Sequence, residues 1–165
     1  MIPINPPVAG LPPSETVVSR IRANAARHPE RIALVCGGDH LTWGQFDARV
    51  NKVANLLLQR GLRKGDNVAI LSPNSIPYAE LFMGILRAGG CVTPLSSMAS
   101  GTALHKMLTD CAPTAIFVAA QYFDLVEGFV FDLPLARFAI DFERGDLERY
   151  EAALAAAPVT DPMIP

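Results

Sequence analysis

Four short apolar runs, separated by stretches of helical period, constrain this chain more than any other feature. They are NVAIL at 67–71, CVTPL at 91–95, TAIFVA at 114–119 and ARFAID at 136–141. Runs this short that are apolar at successive positions suit strands buried on both faces. Strands of that kind belong to parallel sheets, and a parallel pair needs a long crossover, usually a helix. The intervening stretches supply helices. Ser75 caps a helix over 76–88, with Pro77 tolerated in its first turn. That helix is apolar nearly all round, so burial on more than one side is expected, and Gly89-Gly90 ends it. Ser100 caps a helix to about 110 that carries Leu104, Met107 and Leu108 inward. A short helix is expected at 122–127 and a terminal one at 146–156, with Asp146 as its cap and Leu147, Tyr150 and Leu154 on one side. The fold class is therefore α/β, a mainly parallel sheet flanked by helices.

Upstream of the sheet the pattern changes. Residues 1–13 hold five prolines and read as an extended arm. Ser14 is positioned to cap a helix to about His28, with Val17, Val18, Ile21 and Ala25 on one face. Segments 32–36 and 40–43 flank Gly37-Gly38-Asp39 as an N-terminal β-hairpin. In the helix that follows, Thr42 and Gln45 have the spacing of a capping box. Phe46, Val50, Val53, Ala54, Leu57 and Leu58 form one apolar stripe, with Arg49, Lys52 and Gln59 on the wet side and Gly61 as the stop.

Half of the residues are hydrophobic, 18% are charged, and mean hydropathy is +0.27. No run approaches 18 apolar residues, so no membrane span is expected, and the opening residues do not have the form of a secretory leader. The excess hydrophobicity is expected partly as uncovered surface, above all on helix 76–88, through which the chain would self-associate. Net charge is −2 and the arginines are scattered, which argues against nucleic acid as a partner. Cys36, Cys91 and Cys111 show no metal-ligand spacing and read as free thiols; His28, His40 and His105 are isolated.

Motifs that carry chemistry are sparse. No G-x-x-x-x-G-K-[ST] loop, G-x-G-x-x-G turn or G-x-S-x-G elbow is present. Gly84-x-x-x-x-Gly89-Gly90 lies within and after a helix, whereas phosphate loops open one. Asp141, Glu143, Asp146 and Glu148 form an acidic run that reads as a solvated loop. Ser72-Pro73-Asn74-Ser75 and Pro94-Leu95-Ser96-Ser97-Met98 follow two strands, at the sheet edge where open α/β folds bind ligands.

Several stretches occur in an order that resembles the adenylate-forming ligases, which include acyl-CoA synthetases, luciferases and peptide-synthetase adenylation domains. They are HPERIAL, LTWGQFDARVNKVANLL, GLRKGDNVAILSPNS, GILRAGGCVTPLSS and MLTDCAPTAIFV, and together they span about 14–120. Trp43 stands where that family more often has Tyr, Gln45 where it has Glu, and Ser96-Ser97 where it has Asn-Pro. The family's loop of the type Thr-Ser-Gly-Thr-Thr-Gly-x-Pro-Lys-Gly does not occur in the 165 residues. The resemblance thus implies that 14–165 is an incomplete N-terminal domain reaching just short of that loop.

The same resemblance implies the parent activity: an AMP-forming acyl-CoA synthetase converting carboxylate, ATP and CoA to acyl-CoA, AMP and pyrophosphate, with ATP, Mg²⁺ and CoA as its cofactors. Residues handling phosphates, metal and acyl group would lie beyond this stretch, so no catalytic or metal-binding residue is nominated and the piece alone is expected to be inactive. Ser96, Ser97 and Met98 are nominated for the CoA side of the cleft, with Asn74 and Ser75 for the same cleft. The expected partners are the remainder of the polypeptide and a small carboxylate, in a cytoplasmic setting of fatty-acid metabolism. The competing expectation is a self-contained, non-catalytic α/β binding or interaction domain.

Overall fold

A computed structural model describes residues 16–164; the proline-rich arm and Ser14 lie outside them. Five strands form one parallel sheet in the order β4-β3-β5-β6-β7: β3 Asn67–Leu71, β4 Cys91–Pro94, β5 Ala115–Val118, β6 Ala136–Ala139 and β7 Glu148–Arg149. A separate antiparallel hairpin pairs β1 Ile32–Cys36 with β2 Asp39–Thr42. Gly37, at φ +61°, takes the left-handed conformation its turn requires.

The central strands are buried on both faces. Val68, Ile70, Ala115, Phe117 and Phe138 point into one core, shared with α2 Trp43–Gln59, α3 Ile76–Arg87 and α6 Tyr150–Ala156. Ala69, Leu71, Ile116, Val118 and Ala139 point into the other, under α4 Gly101–Cys111, a 3₁₀ turn at Ala120–Leu125 and α5 Glu127–Val130. This two-residue alternation fits a side-chain period of two, with a helix layer on each face. Phe117 and Phe138 stack at 4.5 Å, and Tyr150 meets Phe117 edge-on at 5.9 Å. A third cluster, Ile21, Phe46 and Val50, seats α1 Val17–Arg27 and the hairpin on α2.

The capping box on α2 forms as its spacing demands: Gln45 N–H donates to Thr42 Oγ1 at 3.3 Å, and Thr42 N–H to Gln45 Oε1 at 2.9 Å. Ser75 and Ser100 cap α3 and α4. α1 is capped by Thr16, whose box partner is Ser19, rather than by Ser14. Several other expectations are corrected. Val17 and Met107 are exposed, so the inward faces of α1 and α4 are narrower than their apolar spacing suggested. Arg49 and Lys52 are half-buried, Arg49 because it pairs inward. Asp146 caps nothing: it pairs with Arg144, the backbone at 148–149 joins the sheet as β7, and α6 starts only at Tyr150.

α3 is buried on more than one side, as its all-round apolar character predicts, and none of its residues is fully exposed. It is sandwiched between α2, the sheet and the hairpin. A Cβ on Gly84 would lie 2.4 Å from Val53 Cβ and Cγ1 and 3.2 Å from Val50 O, so glycine is what lets α2 and α3 approach this closely. Ile76, Pro77, Tyr78, Ala79, Phe82, Met83 and Leu86 nonetheless keep part of their surface open.

Candidate functional site

The carboxyl ends of β3 and β4 lie side by side, because the strands run parallel in register. The loops 72–75 and 95–100 thus share one edge of the sheet. The N-termini of α3 and α4 open at the same edge, which gives it a partial positive character. Ser75 Oγ accepts from Tyr78 N–H at 3.2 Å, and Ser100 Oγ from Ala103 N–H at 3.3 Å. Both hydroxyls are engaged as acceptors in capping and retain a proton to donate.

Asn74 is exposed, and its carbonyl lies 3.9 Å from Cys36 Sγ. Asn74 and Ser75 line a groove of about 170 Å³ with Leu34, Val35, Cys36, Ile76 and Ala79, between the hairpin and α3. The Ser96–Met98 turn is not part of that groove. Ser96 Oγ accepts from Met98 N–H at 3.3 Å and Ser96 O from Ala99 N–H at 3.1 Å, which shapes a tight turn. Ser97 is exposed and Met98 stands 95% exposed, so this turn presents its side chains to whatever adjoins it. The five nominated residues thus share an edge and divide between two loops.

Sequence reasoning missed two charged networks inside the helical layer. Glu80 is buried, accepts from Arg49 Nε at 2.5 Å and from the Tyr150 hydroxyl at 2.8 Å, and so joins α2, α3 and α6. Arg49 also grips Glu151 through both terminal nitrogens. Burial weakens the Arg49 charge, but its hydrogen bonds to Glu151 and Glu80 more than offset this and raise its pKa. Burial, together with the Glu80 carboxylate, pushes Tyr150 well above the usual tyrosine range. Arg87 is likewise buried, paired with Asp47 at 2.8 Å and donating to Asn51 Oδ1 at 2.7 Å. A lone Glu and a lone Arg on an apolar helix signalled that partners must exist, since a buried charge without one is prohibitively costly.

The acidic run disperses. Ala120 N–H donates to Asp141 Oδ1 at 2.7 Å, Glu143 pairs with Arg149 at 2.8 Å, Asp146 with Arg144 at 3.2 Å, and Arg60 Nη2 donates to Glu148 at 2.7 Å. Among the described residues no three His, Cys, Asp or Glu side chains are grouped to hold a metal ion. Nor do these residues fit a nucleotide's phosphates. Gly84 is consumed by helix packing, and Gly89, at φ +80°, follows the end of α3. Among the described residues no glycine-rich turn opens a helix at the carboxyl edge.

The profile of a family described as AMP-binding enzyme matches residues 21–158. An L-proline–[L-prolyl-carrier protein] ligase of Streptomyces coelicolor is 36% identical over 107 residues, covering 65% of this chain and 20% of the relative. A medium/long-chain-fatty-acid–CoA/3-oxocholest-4-en-26-oate–CoA ligase of Mycobacterium marinum is 28% identical over 142 residues, covering 81% of this chain and 26% of the relative. The solved structure of the anthranilate CoA ligase AuaEII with anthranoyl-AMP superposes with a TM-score of 0.84 at 21% identity, covering 91% of this chain and 30% of that one. The chain therefore spans about a fifth to a third of the length of these proteins.

Proposed function

The chain belongs to the AMP-binding enzyme family, and on that premise we propose that it is the opening portion of an AMP-forming acid–CoA ligase. The observation that carries this reading is the family match across residues 21–158, continuous through both helix layers and the sheet. The reaction is carboxylate plus ATP to acyl-adenylate and pyrophosphate, then transfer of the acyl group to a thiol with release of AMP. Adenylation turns a poor leaving group into a good one, and it requires groups that hold phosphates and carboxylate together. Residues 16–164 supply the scaffold for one wall of that site; ATP, Mg²⁺ and the carboxylate belong to the remainder of the polypeptide, the principal partner.

The thiol is CoA in this reading. Ser96, Ser97 and Met98 face its side of the cleft, and Asn74 and Ser75 contribute to the same cleft. The similarity to the prolyl-carrier ligase favours a carrier-protein thiol as the second reading. The carboxylate in this reading is a fatty acid, which the similarity to the Mycobacterium marinum ligase supports. A cytoplasmic setting agrees with three unbridged cysteines, and no described helix is long and apolar enough to cross a membrane.

The decisive assay is carboxylate-dependent ATP–pyrophosphate exchange. The longest natural form of the protein should exchange, and pure 165-residue chain should not. Exchange by the short chain, or none by the long form across a panel of carboxylates, sinks the reading.

A further inference from the structure

After α6, residues 158–164 cross the helical layer as a strap pinned to three elements. On α2, Asn55 Nδ2 donates to Pro158 O at 2.9 Å and to Thr160 O at 2.7 Å. On α1, Arg22 Nη2 donates to Asp161 Oδ1 at 2.7 Å, and Arg22 Nε forms an ion pair with the other carboxylate oxygen. Just past α3, Ile164 Cγ2 lies 3.5 Å from where a Cβ on Gly89 would be.

These holds are made by side chains over an otherwise shallow contact. None of residues 158–164 is buried, whereas Tyr150, Ala153, Leu154 and Ala157 just upstream are. No residue of the strap belongs to any of the three cores. Pro158 and Pro162 have no N–H to give to a ladder.

Closure also carries costs. Met163 stands at φ +51°, a left-handed conformation that a residue with a Cβ disfavours. Three buried side-chain atoms, Arg22 Nε, Asp47 Oδ1 and Arg87 Nε, have no hydrogen-bond partner. All three belong to one charged cluster, in which Arg22 meets Asp161, Arg87 pairs with Asp47 at 2.8 Å and the Arg87 charge also reaches Asp161. Polar atoms kept from water without a well-aligned partner are expensive. The cluster lies where the strap borders two cavities. One, of about 440 Å³, is lined by Arg22, Asp47 and Asn51 together with Val159 and Asp161 of the strap. The other, of about 270 Å³, is lined by Arg22, Arg87 and Gly89 together with Ile164.

We propose that residues 158–164 are a latch that opens as a unit while the sheet and its helices stay folded, with the Arg22–Asp161 pair as its catch and Asn55 as its second hold. Segments with few buried contacts are the ones that open locally. Opening withdraws nothing from a core, frees Met163 from its left-handed conformation and lets water reach the Arg22 and Asp161 groups. It also joins the two cavities into one groove over Ala25, Ala26, Gly44 and Ala48, small residues that leave room between α1 and α2. The latch controls access to that groove and is independent of the activity proposed above.

The test is digestion of the longest natural form with dilute proteinase K, with cuts after Val159 and Met163 placed by mass. When opening and closing are fast, the cutting rate follows the open fraction. The wild type should be cut at least about a hundredfold more slowly than a free peptide of residues 155–164. Guanidinium too dilute to unfold the domain should leave that rate almost unchanged, because a small opening exposes little surface. Arg22→Ala and Asn55→Ala should each raise the rate about tenfold, as loss of a charge-assisted bond or of two neutral ones implies. Cutting at the peptide rate means that the strap is not latched. An unchanged rate in both variants means that these side chains do not hold it. A rate that climbs in step with the unfolded fraction means that the strap opens only with the whole domain. Each of these results overturns the proposal. If a variant does not fold, the wild-type denaturant series decides alone.

Discussion

Gly84→Ala tests the packing on which this scaffold depends. One methyl placed on Gly84 would sit 2.4 Å from both Val53 Cβ and Cγ1, where ordinary contact needs well over 3 Å. The methyl is fixed to the α3 backbone and Val53 Cβ to that of α2, so no rotamer relieves the overlap and the helices must separate by about 1 Å. Overpacking of a rigid core costs about 1–3 kcal/mol, and this contact belongs at the upper end. The better helix propensity of alanine returns about 1 kcal/mol. The expected net loss is about 2 kcal/mol, or roughly 4–8 °C in Tm for a domain of this size. Val53→Ala should not rescue the variant, because Val53 Cβ remains in place. Gly128→Ala is the control: it is exposed in α5, and a Cβ there meets nothing within 4 Å. Guanidinium unfolding followed by circular dichroism measures all four proteins. A Gly84→Ala protein as stable as the parent, or one rescued by Val53→Ala, would refute the close-approach argument.

Leu57→Ala should cost about 2–5 kcal/mol in the same assay, since Leu57 is fully packed in the α2–α3–sheet core; a loss under about 0.5 kcal/mol would show the wrong helix face. Glu80→Ala should cost about 2–3 kcal/mol, below the usual penalty for breaking a buried ion pair because Arg49 keeps Glu151; Glu80→Gln should cost less, since it can still accept from the Tyr150 hydroxyl. Tyr150 has its pKa raised in the fold, so its contribution is full below pH 10 and is lost as pH rises through the folded value; stability should fall above about pH 10, and less so in Tyr150→Phe. Asp161 moves the other way. Burial opposes its charge, but the hydrogen bond from Arg22 prevails and lowers its pKa, so its contribution is present above about pH 4 and disappears as pH falls through the folded value; Asp161→Asn should flatten that acid limb of the stability profile.

The sheet was legible because its signal is local and repeated. β3 matches its apolar run residue for residue, and Thr42, Ser75 and Ser100 cap the helices their sequence contexts nominated. β7 was not legible: two residues, Glu148 and Arg149, carry no strand pattern, and they join the sheet through backbone bonds to β6 while Arg60 holds the Glu148 side chain. The Glu80 network was hidden for another reason. Its partners lie 31 and 70 positions away, a separation that no periodicity registers. Gly84 was rightly set aside as a phosphate glycine, but its role in admitting α2 depends on Val50 and Val53 more than thirty positions earlier, which no local pattern registers.

The candidate site was legible only as an edge, and the reason is physical. A parallel sheet places every β-to-α loop at its carboxyl side, so position in the pattern alone pointed to 72–75 and 94–98. What a loop contributes there depends on which of its polar atoms are already spent. Ser75 accepts a capping bond and Ser96 folds its hydroxyl onto Met98 N–H, whereas Ser97 and Met98 project outward. Should this edge hold the pantetheine or nucleotide end of CoA, Ser97→Ala and Met98→Ala should raise the KM for CoA in the full enzyme while leaving pyrophosphate exchange intact, because the first half-reaction does not use the thiol. Ser75→Ala should instead cost about 1 kcal/mol of stability through its lost cap, with no selective effect on CoA. A selective CoA defect from Ser75→Ala, with none from Ser97→Ala or Met98→Ala, would mean that the thiol donor approaches along the hairpin groove of Asn74 and Ser75 rather than past β4.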